Sequence, residues 1–421
     1  MHNGIEVDGV DVLTAVTWSC LFVMAVVSAY GLYQVVVCSR FLSGVPLPPA
    51  TLDTATFAVL VFARDEEKVI GRLLDTLAAQ DYPADRFAVF VTADHCSDAT
   101  AQVAASRGAR VLVRDGEGAS GKGAALNWFF ASADLTGFDA CVVFDADNLV
   151  DPGFLTAMNR QLAAGRRIAV GYRTGKNPSS SWVAGASTIF WLMQSRFYHR
   201  PRAAWGLPCT SVGGTGFMFA LDTLGPDGWH STTACEDIEF TLEQIAAGRF
   251  VAFAADAVCY DEQPLTATAS VRQRYRWSVG SVQVMRRLFR GLMHSGLHGH
   301  PAALDAALFI LGVPMGGISA LVWVALLVVG LAAGVSLGST LLVVLGSAAA
   351  GYVALAAFAW LVVGLEHADW PGRGRAVAGF PLWLLSWMVI NVVVLFWRDP
   401  TWRVQPHTED FTLDETVAQG L

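Results

Sequence analysis

Residues 140–147 read Ala140-Cys141-Val142-Val143-Phe144-Asp145-Ala146-Asp147: a short apolar run, then two carboxylates one residue apart. A run of this kind fits a strand covered on both faces, the form strands take in a parallel sheet. The same pattern recurs at 57–62, 87–92 and 110–113, with helical periods at 67–80, 98–107 and 123–133 between the runs. Strands alternating with helices of this size make βα units around a mostly parallel sheet. In open sheets ligands bind beyond the carboxyl ends of the strands. Polar residues stand there: Arg64-Asp65-Glu66, Asp94-His95 and Asp145-Ala146-Asp147. The fold class is therefore α/β, a nucleotide-binding domain.

The chain has 421 residues, 54% hydrophobic and 15% charged, with a mean hydropathy of +0.45. A soluble protein carries about 25% charge, so a purely soluble enzyme is excluded. Residues 12–37 contain no charged side chain, and about 20 apolar residues span a bilayer. The basic start of a cleaved signal peptide is missing, since residues 1–11 carry Glu6, Asp8 and Asp11 but no Lys or Arg. Three further apolar stretches follow at 306–335, 337–365 and 380–397. Arg40, the arginines before the second span, and Arg373 with Arg375 agree on one orientation under the positive-inside rule. The N-terminus falls outside and the α/β domain in the cytoplasm. Parity puts the tail outside, although Arg398 and Arg403 pull the other way.

These readings predict a multi-pass protein of the inner or plasma membrane. Residues 1–50 hold a first helix and linker, 51–263 the cytoplasmic domain, 264–303 basic interfacial helices, 304–398 three spans and 399–421 a tail. A formal charge of −8 argues against nucleic acid as a partner. The seven cysteines lack CxxC spacing, so they suggest neither a zinc ribbon nor a disulfide framework.

Asp145 and Asp147 can present oxygens to one hard divalent ion, magnesium or manganese, that also binds substrate phosphates. A solvated turn is the competing reading of that pair. Glu236-Asp237 follows the glycine-rich stretch Gly213-Gly214-Thr215-Gly216 and precedes a helical period. Asp237 is either a helix-start carboxylate favoured by the macrodipole or a general base for an acceptor hydroxyl. Gly121-Lys122-Gly123 is no Walker motif, yet Lys122 suits a phosphate at a helix N-terminus. From 265 to 304 there is no acidic residue, and Arg272, Arg274, Arg276, Arg286, Arg287 and Arg290 alternate with apolar and aromatic ones, as in a helix lying among lipid headgroups. There, Gln273-Arg274-Tyr275-Arg276-Trp277 joins a planar cation suited to pyrophosphate with an indole face suited to a sugar or lipid boundary. The aromatic stretch 182–205 reads as a second interfacial element or as core. His294, His298 and His300 lie among Gly and Ser and read as a juxtamembrane loop.

Taken in order, Ala63-Arg64-Asp65-Glu66-Glu67, Thr92-Ala93-Asp94-His95, Gly121-Lys122-Gly123, Asp145-Ala146-Asp147, Glu236-Asp237 and Gln273-Arg274-Tyr275-Arg276-Trp277 resemble the motifs of membrane-embedded family 2 glycosyltransferases. These are inverting GT-A enzymes such as the cellulose, chitin and hyaluronan synthases. The resemblance implies a GT-A fold, a UDP-sugar donor and Mg2+ or Mn2+ at Asp145 and Asp147. It implies Glu66 and Asp94 on the uridine, Lys122 beside the diphosphate, and Asp237, with Glu236 next to it, as the catalytic base. Gln273, Arg276 and Trp277 match QxxRW, which in the family closes over the diphosphate and frames the acceptor. Phe62, Asp65 and Cys235 depart from the family's usual Pro, Asn and Thr. The arrangement of one leading and three trailing spans is similar to that of the nodulation chitooligosaccharide synthases, which points to UDP-N-acetylglucosamine.

The expected reaction is processive polysaccharide synthesis with coupled export. Transfer of one sugar to a membrane lipid is the alternative, and four spans also leave room for a further export or regulatory subunit. A transporter or receptor with an inactive nucleotide domain is the reading of another class. Spans almost free of ionisable groups, with Asn391 the main polar exception, speak against it.

Overall fold

Side-chain alternation sets the centre of the molecule, a computed structural model that describes residues 9–116, 121–225, 228–397, 407 and 409–420. In β1 (Phe57–Ala63), Phe57, Val59 and Val61 face one apolar layer and Ala58, Leu60 and Phe62 the other, and all of its residues are buried. A strand covered on both faces is what a continuous apolar run requires. β2 (Phe87–Asp94), β3 (Arg110–Arg114) and β4 (Ala140–Asp145) complete the parallel half of the sheet. These four strands match the apolar runs to within two residues at each end.

β5 (Leu149–Val150), β6 (Ile168–Gly175), β7 (Phe217–Ala220) and β8 (Val251–Asp261) extend the sheet in the order β3-β2-β1-β4-β7-β6-β8-β5. β7 is antiparallel to β4 and β6, and β5 to β8, while β6 and β8 run parallel with a register shift at Gly171/Tyr172. The sheet is mixed and mostly parallel, as the resemblance implies.

α1 (Gly9–Cys38) precedes the sheet, and α2 (Ile70–Ala78), α3 (Thr100–Ser106), α4 (Lys122–Ser132) and α5 (Phe154–Ala163) cover its faces. The stretch 182–205 folds as α6 (Trp182–Met193), a π-helical turn at Gln194–His199 and α7 (Arg200–Trp205). Val183, Ala186 and Ile189 of α6 pack against Trp370, Phe380 and Trp383, so this segment is core between the domain and the apolar helices. α8 (Glu236–Ala246) leads through β8 to α9 (Ala267–Leu297), the basic helix, which Thr266 caps through a bond from Ala269 N.

α10 (Pro301–Ile310) and α11 (Gly312–Ala332) divide the expected span 306–335 into a short helix and a long one. Asp305 of α10 is buried in an ion pair with Arg202, which attaches α10 to the α/β domain. α12 (Leu337–Leu365) and α13 (Arg373–Phe396) follow. α1, α11, α12 and α13 are the helices long and apolar enough to cross a membrane among the described residues.

The tail requires a correction. Parity places it across the membrane from the domain, but its described residues pack on the domain. Asp410 pairs with Arg72, Ser180 Oγ donates to Glu409, and Ser179 Oγ donates to Gln419. The cause lies in α13. Trp383 and Trp387 donate to Ser270 and Ser278 of α9, and Tyr275 of α9 reaches the carbonyl of Trp397 beyond the helix end. The window over which α13 is most apolar is 33% buried, against 6%, 6% and 0% for α1, α11 and α12. Much of its apolar surface is satisfied by protein, and it begins and ends against the domain. α14 (Leu413–Val417) then closes the chain with a capping box between Thr412 and Glu415. Glu6, Asp8, Arg398 and Arg403 lie outside the described residues.

Candidate active site

The carboxyl ends of β1, β2 and β4 lie side by side because the register pairs Phe62 with both Thr92 and Asp145. Asp145 ends β4, and its N–H donates to Thr215 Oγ1 at 3.0 Å. Asn148 ties the turn to β8, donating to Asp261 Oδ1 at 2.9 Å and to Asp147 Oδ1 at 3.3 Å. Lys176, buried with Glu262, donates to the carbonyl of Asp147 at 2.9 Å. Both aspartates of the pair are thus held at their backbone by Thr215 and Lys176, and the turn they share is tied to β8 through Asn148. The pair is a built site rather than a solvated turn.

Carboxylate oxygens of Asp145, Asp147 and Asp261 lie within 4.8 Å of one another. Asp261 is already engaged on both oxygens, by Asn148 on one and by Arg173 and Gln263 on the other. It serves as a brace. Burial, then the charges of Asp261 and Asp145, push the Asp147 carboxyl up to about 8. Burial works the same way on Asp145, but Lys122, which donates to it, with Arg173 and Arg276, outweighs burial and holds that carboxyl below its usual range. Crowded carboxylates of this kind fit a hard divalent cation, which relieves their mutual repulsion.

His407 of the tail reaches this centre. Its Nδ1 lies 2.8 Å from Glu66 Oε1 and its Nε2 3.4 Å from Asp147 Oδ2. Burial disfavours its charged form, yet Asp147 and Glu66 outweigh that and raise it to about 10. Asp94 is buried at the end of β2, where Oδ1 faces Arg114 at 2.5 Å and His95 Nδ1 at 2.7 Å.

Glu236 and Asp237 open α8 at the far side of the cation centre. Burial, then the neighbouring Asp237, pushes Glu236 up to about 7, and burial raises Asp237 as well. Gly214 has a positive φ of 79°, a conformation that glycine adopts freely, and a Cβ there would lie 3.6 Å from Asp237 Oδ2. Its carbonyl also accepts from Lys122 Nζ at 2.6 Å. α9 sits directly above, so close that a Cβ on Gly280 would clash with Cys235 Sγ. Cys235 is thus a packing residue whose Sγ faces the carbonyl of Trp277.

Glu66, Asp94, Lys122, Asp145, Asp147, Glu236, Asp237, Gln273, Arg276 and Trp277 all line one cavity of about 880 Å³. Every site residue expected from the sequence is therefore brought together, whereas the His294–His300 group lies outside it. Arg274, inside the same motif, plays a structural part instead. It is buried and donates to Trp383 O at 2.5 Å and Ser386 Oγ at 2.9 Å, which binds α9 to α13. Sequence reasoning missed Asp261, Arg173 and His407. Asp261 has a legible signal, for β8 ends in an acid after an apolar run just as β4 does. Arg173 lacks such a signal inside β6, and parity had removed His407 from view.

The cavity continues from Asp237 past Trp191 and Trp277, whose rings are 5.7 Å apart, to Tyr30 of α1, Phe309 and Ile310 of α10, Gly312 and Val313 of α11, and Trp387 and Asn391 of α13. Among the described residues, none of α12 and none of α11 beyond Val313 lines it.

A family profile described as "Glycosyltransferase like family 2" matches residues 54–280. A β-monoglucosyldiacylglycerol synthase of Synechocystis is 28% identical over 248 residues, which is 56% of this chain and 49% of that protein. A probable glycosyltransferase of Bacillus subtilis, YdaM, is 26% identical over 242 residues, 54% of this chain and 56% of its own. The matches thus span about half the length of these curated relatives. Among solved structures, the mannosyltransferase PcManGT of Pyrobaculum calidifontis, in complex with GDP-Man and Mn2+, superposes with a TM-score of 0.61 over 90% of this chain and 99% of that one, at 18% identity. That likeness establishes the GT-A fold.

Proposed function

The chain belongs to the glycosyltransferase-like family 2, and from that premise we propose that it transfers one sugar from a UDP-sugar to a hydroxyl of a membrane lipid, with inversion. The reading rests on the extent of the cavity. Its membrane-side walls come from Tyr30, the α10–α11 junction and α13, and stop at the first turn of α11. A conduit for a polymer needs lining along the length of the spanning helices, whereas a lipid hydroxyl needs only a doorway at their domain end. The curated relatives named as β-monoglucosyldiacylglycerol synthases support a lipid acceptor.

Asp145 and Asp147 would hold Mg2+ or Mn2+, whose charge offsets that growing on the departing diphosphate. Asp237 takes the proton of the acceptor hydroxyl as its oxygen attacks the anomeric carbon on the face opposite the nucleotide. The bond from that carbon to the diphosphate oxygen breaks, and UDP leaves with the electron pair. Arg276 supplies fixed positive charge to the leaving group, and Trp191 and Trp277 frame the acceptor. Glu66 and Asp94 meet the uridine. The domain works on the cytoplasmic face of the inner or plasma membrane, α11 and α12 crossing and returning as a pair.

A second reading, processive synthesis of a polysaccharide, is favoured by Gln273, Arg276 and Trp277, which complete QxxRW. Incubating the full chain in lipid nanodiscs with radiolabelled UDP-sugars, then separating products by size and by organic extraction, distinguishes the two. A single extractable glycolipid is expected. A water-soluble ladder of sugars would overturn the lipid reading.

A further inference from the structure

His95 follows β2 directly, at the edge where Glu66 and Asp94 line the cavity. Its backbone has a φ of 55°, a left-handed conformation that only Asp65 and His367 share among the described non-glycine residues. Histidine is one of the few side chains enriched there, and such a backbone persists where surrounding bonds fix it. Three bonds do so. The backbone N–H donates to the carbonyl of Arg114 at 2.9 Å, Nδ1 lies 2.7 Å from Asp94 Oδ1, and Nε2 lies 2.7 Å from the carbonyl of Gly116. A neutral imidazole offers one N–H and one lone pair. Here the two ring nitrogens face a carboxylate and a carbonyl, which can only accept, so both must donate and the ring is an imidazolium. The Gly116 carbonyl first, then Asp94, raise its pKa above the usual 6.5, against Arg114 of β3, the other charge acting on it.

The ring joins two parts of the donor edge. Asp94 Oδ1 is engaged by His95 and Arg114, whereas Oδ2 has no hydrogen-bond partner among the described residues and is not sealed. Gly116 opens the connection from β3 to α4, whose far end, Gly121 and Lys122, lines the same cavity. Resting on the proposed UDP-sugar donor, we propose that the His95 imidazolium is a positioning residue for the nucleotide: it fixes Asp94 so that Oδ2 accepts from the uracil N3–H, and it holds the β3–α4 connection beside that carboxylate so that Lys122 meets the diphosphate of the same molecule. Loss of the ring's proton leaves one nitrogen lone pair against an oxygen, one of the two bonds breaks, and the grips on base and diphosphate are no longer coupled. Because the proton is held above 6.5, the clamp is present at pH 6.5 and is lost as pH climbs through the raised value.

The test is calorimetric titration with UDP and Mg2+, using the full chain in phosphatidylcholine nanodiscs at pH 6.5 and pH 9. His95→Asn keeps a residue that tolerates positive φ but carries no charge. Its Kd for UDP is expected to be about tenfold above that of the parent at pH 6.5, the loss of one charge-assisted hydrogen bond, and to approach the parent's at pH 9. The ratio of the two proteins cancels every other group that titrates in the site. His95→Lys, which stays a charged donor throughout, is expected to bind UDP more tightly than His95→Asn at both pH values. A ratio near one at pH 6.5 removes His95 from donor binding, and a ratio that is the same at both pH values removes the proton from its role; either result overturns the inference and leaves the UDP-sugar reading standing. A parent that binds no UDP at either pH sinks that reading and the inference with it.

Discussion

Replacing Asp237 by Asn removes one proton acceptor and leaves shape almost unaltered. The side chain sits in the first turn of α8, and the carboxamide fills the same space beside Gly214. Loss of a positioned base costs about 10²–10⁴ in rate, or about 3–5 kcal/mol on the barrier. In the proposed reading UDP lies on the Glu66 and Asp94 side of the cation centre, away from Asp237, so its affinity should stay within about twofold, well under one kcal/mol.

Stability moves the other way. Glu236 is held at about 7 in the folded chain, by burial first and Asp237 next. The unfolded chain releases that proton near 4.5, so stability falls as pH climbs from about 4.5 to about 7, and the deficit is complete above that range. For Glu236 it amounts to about 3 kcal/mol at most. Because Asp237 contributes only part of it, Asp237→Asn should raise Tm at pH 8 by more than at pH 5. Single-turnover transfer, calorimetric titration with UDP and melting at the two pH values read the three quantities. Transfer above a tenth of the parent rate, with UDP affinity intact, would refute the assignment of Asp237 as the base.

Chelating divalent cations should stop transfer, Mn2+ or Mg2+ should restore it, and Asp147→Asn should raise the half-activating concentration at least tenfold; activity unaffected by chelation would contradict this. His407→Ala should raise the same concentration about tenfold and expose residues 409–420 to protease, so an unchanged cation titration would confine His407 to a structural part. Arg274→Ala should lower stability by about 2–4 kcal/mol, since it deletes two charge-assisted bonds to α13 and the packing of the guanidinium over Trp383. Burial already holds that guanidinium down to about 10, which offsets part of the loss, and an unchanged melting curve would show the clamp to be neutral.

The parallel half of the fold was legible because β1, β2 and β4 are apolar runs ending in polar residues, and the residues that follow a strand mark the ligand edge. β6, β7 and β8 were less visible. β7 has only four residues, and β6 carries Gly171, Tyr172 and Arg173 where a run should stay apolar. Glu66, Asp94, Lys122, Asp145 and Asp237 could be singled out because each stands at or just beyond an element end, where the periodicity changes. Counting crossings by hydropathy did not locate the tail. α13 is as apolar as a span, but composition does not register that Trp383, Trp387 and Asn391 face another helix rather than lipid. Thr412 and Glu415, spaced as a capping box, were a visible hint that the tail folds with soluble structure.

The meeting of positions 66 and 407 has a consequence for biosynthesis. The ribosome delivers the acidic half of the pocket early and the imidazole only after every apolar helix has emerged. A chain still being threaded into the bilayer has the donor carboxylates without their partner, so the pocket is completed only when insertion is finished. A molecule cut before position 407 therefore lacks the imidazole that faces Glu66 and Asp147.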